Sequence, residues 1–147
     1  MIQRIQTVYL LVSTILLGII FWLPLAVINA AGEPYLFDIK GVHKAAEVVI
    51  SGLPLIVLLA LIVVLQLVAI FSYKKRIRQI KILIFSMILL IGILALFFWF
   101  AYWGFKGAVV SFKIACIFPF VAIVLDYLAI RAIGKDETLI RSLNRIR

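Results

Sequence analysis

The amino-acid sequence predicts an all-α fold, a bundle of four transmembrane helices followed by a short C-terminal amphipathic surface helix. Three observations carry that expectation. Of the 147 residues, 67% are hydrophobic and only 14% charged, whereas a soluble domain is about half apolar. Four continuous apolar runs each hold about the 20 residues a helix needs to cross a hydrocarbon core roughly 30 Å thick. The 15 Lys and Arg residues collect at a few places between and beyond these runs.

The runs cover about 8–28, 53–71, 82–105 and 112–133, so residues 1–133 read as one transmembrane domain and 134–147 as a cytoplasmic tail. They are continuous rather than alternating, which favours helices over a β-barrel. The first run has signal-peptide features, Arg4 before it and Ala30 and Ala31 after it. Its length exceeds the usual apolar segment of a signal, and Ile28 or Asn29 falls where a small side chain is preferred, so it reads as a retained helix.

Between the first two runs, Ala31–Glu47 is punctuated by Gly32, Pro34 and Gly41 and reads as an irregular loop, with His43 as a loop residue. Pro24, Pro54 and Pro119 lie in the outer halves of the runs, where Pro119 is placed to kink the fourth helix. After that helix, Gly134 is a natural stop and Asp136 a cap for a new helix. Leu139, Ile140, Leu143 and Ile146 share one face of it and Arg141, Arg145 and Arg147 lie off that face, the pattern of a helix lying flat on a membrane or docking a partner.

Orientation follows from charge. Arg4, the segment Lys74, Lys75, Arg76, Arg78 and Lys81, and the end Arg131, Lys135, Arg141, Arg145 and Arg147 hold eleven basic residues on one side; Lys40, Lys44, Lys106 and Lys113 hold four on the other. Basic residues in short loops stay in the cytoplasm, so both termini are expected inside. Trp22, Trp99, Tyr102 and Trp103 gather near the outer boundary and Tyr9, Tyr73 and Tyr127 near the inner one. The basic residues Lys74, Lys75, Arg76, Arg78, Lys81, Arg141, Arg145 and Arg147 are expected to contact anionic headgroups of the inner leaflet. No zinc spacing or aromatic RNA-binding stretch accompanies the net +9 charge, so nucleic acid is not an expected partner.

The chemistry-bearing residues are the polar ones inside the runs. Asp126 costs about 2.5–3.5 kcal/mol at a helix centre, which the apolar residues of its run outweigh at roughly −5 kcal/mol. Ala115, Ala122 and Ala129 recur every seven residues, and Asp126 shares their face, so it is expected to point inward. Counting turns from the basic ends puts Ser13, Thr14, Gln66, Ser86 and Asp126 roughly 7–11 Å below the inner boundary, at 1.5 Å per residue. That makes a polar layer drawn from four helices, serving either to fix helix register or to carry a proton or cation on Asp126.

No nucleophile, phosphate-loop or metal pattern is present, Cys116 stands alone in an apolar run, and no cofactor is expected. The expected role is non-enzymatic: an accessory or assembly subunit in contact with lipids, other membrane subunits or a second copy. The alternatives are a small proton-linked or ion-conducting transporter using Asp126 and, more weakly, a lipid-binding or lipid-modifying protein.

Two segments carry a resemblance. Met-Ile-Gln-Arg-Ile-Gln-Thr-Val-Tyr at 1–9 and Leu-Ala-Ile-Arg-Ala-Ile-Gly-Lys-Asp-Glu-Thr-Leu-Ile-Arg-Ser-Leu-Asn-Arg-Ile-Arg at 128–147 resemble an uncharacterised family of small four-span bacterial inner-membrane proteins, a domain of unknown function. Tyr73-Lys74-Lys75-Arg76, leading to Gln79 and Ile80, is similar too. The family tail commonly reads Arg-Ser-Ala-Asp-Arg-Leu-Arg, and here Leu143, Asn144 and Ile146 replace three of those positions. The resemblance implies four spans and a bacterial inner membrane, and supplies no catalytic residue.

Overall fold

A computed structural model describes residues 3–30, 32–44, 47–103 and 107–145, with side chains described over 5–138 of these. Among the described residues four α-helices pack side by side: α1 (Gln3–Ile19), α2 (Leu53–Phe71), α3 (Arg76–Trp103) and α4 (Phe118–Arg145). α1 packs against α2 and α4, and α3 against α2 and α4, which closes a ring. Three helical segments are long and apolar enough to cross a membrane, Leu53–Phe71, Arg76–Trp103 and Ile114–Thr138; Ile5–Ile19 is a shorter apolar helix.

The all-α expectation is overturned by a sheet of five antiparallel strands: β1 (Ala26–Ala30), β2 (Glu33–Asp38), β3 (Gly41–Lys44), β4 (Glu47–Ser51) and β5 (Val109–Phe112). Their order is β4-β3-β2-β1-β5, so the fold is mixed α/β rather than a plain helical bundle. β1 to β4 come from the connection between α1 and α2, and β5 from that between α3 and α4. The sheet therefore sits at one end of the helices and joins the two halves of the chain. The α2–α3 connection, with Lys74 and Lys75, lies at the opposite, basic end.

The strands take residues from the ends of the expected spans. Helix α1 winds one more turn through Ile20, Phe21 and Trp22, whose amides bond three residues back. Pro24 then supplies no amide and the chain extends. Ala26–Ile28 instead pair with Phe37–Tyr35 on one side and Phe112–Val110 on the other. The described residues of the expected irregular loop are mostly strand, in β2 and β3, and His43 belongs to β3 opposite Leu36. Val27, Ile28, Tyr35, Phe37, Val42, Val48, Val49 and Ile50 are types that fit a pleated, half-buried surface.

Two glycines permit this layer. Gly41 has φ 128°, and a Cβ there would collide with the Ile50 carbonyl; one on Gly52 would strike the backbone of Lys40 and Gly41. The two chain segments thus cross at backbone contact, where the Gly52 amide donates to the Lys40 carbonyl at 2.7 Å. Asp38 shapes the turn before Gly41: its Oδ1 accepts from the Lys40 amide at 2.7 Å and lies 3.1 Å from His43 Nε2.

The sheet is fastened to the helix ends by aromatic packing. Phe37 is buried, stacks on Phe100 at 6.0 Å and meets Phe97 edge-on at 6.1 Å. Such pairs add about 0.5–1.5 kcal/mol each beyond area burial. Pro54 and Pro119 fall in the first turns of α2 and α4, where the missing amide has no helical partner, so Pro119 introduces no mid-helix kink. Helix α4 also continues past Gly134, where the sequence predicts a stop, and carries the tail to Arg145 without a separate surface helix.

Inward residues follow a four-three spacing on every helix: Gln6, Leu10, Ser13, Leu17 and Ile20 on α1; Leu55, Leu59, Ile62, Gln66 and Ala69 on α2; Gln79, Leu83, Ser86, Leu90 and Ile93 on α3; Ala122, Asp126, Ala129, Ile133 and Asp136 on α4. This is the seam of coiled-coil-like packing. It produces two separate apolar clusters. A large one, with Leu17, Ile62, Leu90 and Ala122, runs up under the sheet; a small one, Leu10, Ala69, Leu83, Ala129 and Ile133, lies toward the basic end.

Candidate functional site

The gap between the two clusters is where the polar residues meet. Ser13, Gln66, Ser86 and Asp126 are each fully buried, one from each helix, and each occupies the seam position between a member of the lower cluster and one of the upper. The seam places them there because 3.5-residue spacing returns a side chain to the same face every seven residues.

Asp126 is held from two helices. Ser13 Oγ on α1 donates to Oδ1 at 3.0 Å, and Gln66 Nε2 on α2 reaches Oδ2 at 3.0 Å and Oδ1 at 3.2 Å. The same Gln66 nitrogen donates to Ser13 Oγ at 2.8 Å. An amide nitrogen has two hydrogens, so one serves Ser13 and the other is shared by the carboxyl oxygens. Thr14 Oγ1 lies 3.0 Å from Gln66 Oε1 and 2.7 Å from the Leu10 carbonyl, anchoring the amide's other end.

Of the five residues expected in the layer, Ser13, Thr14, Gln66 and Asp126 form this connected network. Ser86 sits at the same level on α3, but its Oγ is buried without a hydrogen-bond partner. The network thus ties α1, α2 and α4 and leaves α3 to pack by shape.

A second buried polar pair lies nearer the basic end, and the sequence reading missed it. Gln6 Nε2 donates to Asp136 Oδ2 at 2.6 Å, across α1 and α4. Asp136 was expected to cap a new helix; it lies inside α4 instead, 93% buried. Its signal was present in the spacing, for Gln6 is one heptad before Ser13 and Asp136 one three-residue step after Ile133. Gln79 is buried on α3 one heptad before Ser86.

The basic residues crowd the turn between α2 and α3. Lys74 and Lys75 are exposed in the turn, and Arg76, Arg78 and Lys81 occupy the first turns of α3. Arg78 Nη2 donates to Ser72 Oγ at 3.0 Å, and Lys74 Nζ sits 5.9 Å above the Tyr73 ring. Arg76 is partly buried, and its Nη1 is buried without a hydrogen-bond partner. Beside it a cavity of about 510 Å³ opens between α1 and the α2–α3 turn, lined by Val8, Leu11, Ile70, Phe71, Arg76 and Gln79 among others. The side chains of Arg141 and Arg145, and all of Arg147, lie outside the described residues.

Chemically, the polar layer can fix helix register and hold a carboxyl group away from solvent. Among the described residues no three His, Cys, Asp or Glu side chains converge to hold a metal ion. Cys116 is a buried free thiol in the helical turn before α4. A family model described as a domain of unknown function, DUF4293, matches residues 2–146. No curated protein and no solved structure matches the chain.

Proposed function

Because the chain belongs to the DUF4293 family over nearly its whole length, we propose its role from its own residues: a small non-enzymatic membrane protein that acts as an accessory or assembly subunit of a larger membrane complex. In this reading all four helices cross a bacterial inner membrane, with both termini and the basic α2–α3 turn in the cytoplasm and the sheet on the outer face. The eleven-to-four distribution of basic residues supports that orientation. At 17 residues α1 is about 25 Å long at 1.5 Å per residue, and the extra turn through Trp22 lengthens it toward a full span.

The observation that carries the non-enzymatic reading is the enclosure of Asp126. Both carboxyl oxygens are occupied by donors from neighbouring helices, and apolar clusters close the layer on its two sides. Such a layer acts as a register lock, each interhelical hydrogen bond contributing about 0.6 kcal/mol. The outward faces of α2 and α3, with Val57, Val64, Ile84, Ile88 and Ile91 exposed, are free to meet lipid or another subunit.

A proton-linked or ion-conducting role is the competing reading, favoured by the presence of an ionisable group at membrane depth. The two part in one experiment. Affinity purification in mild detergent should return a stoichiometric membrane companion that is retained by Asp126→Asn. Isolation of a lone protein that drives pH-dependent flux in liposomes, lost in the same variant, would overturn the subunit reading.

A further inference from the structure

The start of α3 is charged against its own helix. The first turn of α3 contains no acidic residue, although a helix N-terminus carries partial positive charge. Lys74, Lys75, Arg76 and Arg78 add four cations there; Glu137 of α4 is the acid that lines the same surface. Such an accumulation is unfavourable unless an anion joins it. Arg76 makes the need specific, because its buried Nη1 has no partner, and a buried unpaired guanidinium nitrogen is costly.

The space next to Arg76 has two characters. Arg76 and Gln79 line it from α3, with Gln6 and Thr7 of α1 and Tyr73 of the turn adding polar groups; Val8 and Leu11 of α1 and Ile70 and Phe71 of α2 form its apolar wall. The volume of about 510 Å³ falls within the usual range for small-molecule sites. A free phosphate would satisfy the guanidinium and leave the apolar walls bare, and an alkane would do the reverse. A molecule with an anionic phosphate joined to a hydrocarbon chain satisfies both.

We propose that this groove binds one anionic phospholipid, its phosphate on Arg76 and an acyl chain along Val8, Leu11, Ile70 and Phe71. The inference rests on reading the basic end as the inner-leaflet side of a membrane protein. The bound lipid fills the cleft between α1 and the α2–α3 turn and so bridges them at the end opposite the sheet.

The test is native mass spectrometry of the full chain released from nanodiscs of equal phosphatidylglycerol and phosphatidylcholine. The wild type should retain one phosphatidylglycerol with a preference of about tenfold, the scale of one charge-assisted hydrogen bond. R76Q should lose the preference, while K74Q/K75Q, which removes two exposed charges, keeps it. L11W alters an exposed wall residue, fills the groove and should release lipid of either headgroup; it decides the matter if R76Q does not fold. Equal retention of both lipids by the wild type, equal losses in R76Q and K74Q/K75Q, or displacement of the lipid by millimolar inorganic phosphate would each overturn the site. Failure to enter nanodiscs at all would defeat the membrane reading, whereas entry without lipid preference would defeat this inference alone.

Discussion

Gln66 and Asp126, sixty residues apart, meet in the middle of the helical layer with Nε2 3.0 Å from Oδ2. The amide also holds Ser13, so a single side chain on α2 orients partners on α1 and α4. Removal of the acid and its conservative replacement should therefore differ sharply.

Asp126→Ala leaves Ser13 and Gln66 without their acceptor and should lower stability by about 1–2 kcal/mol, since interhelical hydrogen bonds in membranes are worth about 0.6 kcal/mol and stranded buried groups cost more. Asp126→Asn should stay within about 0.5 kcal/mol of the wild type, because the Gln66 amide can turn over and accept from the new Nδ2. Thermal unfolding in detergent distinguishes them, and equal losses in both variants would refute the register role.

Ser86 predicts the opposite sign. Its Oγ is buried and unpaired, so Ser86→Ala should be neutral or stabilising by up to about 1 kcal/mol. A clear drop in melting temperature would mean that the hydroxyl has a partner in solution.

The sheet register is open to direct trapping. Val27 of β1 lies opposite Ser111 of β5, and directly opposed residues in antiparallel strands have Cβ atoms about 4.5–5.5 Å apart, near enough for a disulfide after small adjustment. In a Cys116→Ala background, V27C/S111C should cross-link under mild oxidation, and a protease cut between α2 and α3 should leave the halves joined. Separation of the halves would argue against β1–β5 pairing.

Gly41 should tolerate no side chain. At φ 128°, with the Ile50 carbonyl in the path of a Cβ, Gly41→Ala is expected to cost about 2 kcal/mol or more from backbone strain and the forced shift of β4. Limited proteolysis should then cut faster in β3 and β4, while the helices keep their far-ultraviolet signal.

Topology has its own readout. Reporters fused after Arg147 or within Ile77–Ile80 should be cytoplasmic, and one within Pro34–Gly41 external, following the basic-residue asymmetry. An external signal from the C-terminal fusion would reverse the proposed orientation.

How much of this was legible before the structure depends on the range of the signal. The bounds of α2 follow from composition, since Gly52 and the charged turn after Tyr73 bracket a run that is apolar but for Gln66. The meeting of Asp126 with Ser13 and Gln66 was legible because the alanine stripe sets a direction and the helical rise sets a depth. The sheet was not. Val and Ile serve both a helix in lipid and a strand, so β1 was hidden inside an apolar run that begins as α1. One of its two partners, β5, lies some eighty residues further on. Asp136 misled for a related reason: Gly134 and a following acid look like a helix boundary, whereas α4 runs unbroken through both and turns the acid inward to Gln6.

The strand order has a consequence for synthesis. β1 to β4 and both flanking helices are made before any of β5, so β1 is first an edge of a four-stranded sheet with one row of amides and carbonyls unpaired. That edge stays open until Val109–Phe112 is delivered to the same side of the helices, after α3 has been completed. Arrival of the last strand is thus the moment at which the first half of the polypeptide recognises the second, and Lys113, whose amide bonds the Leu25 carbonyl at 2.8 Å, is the residue that latches it.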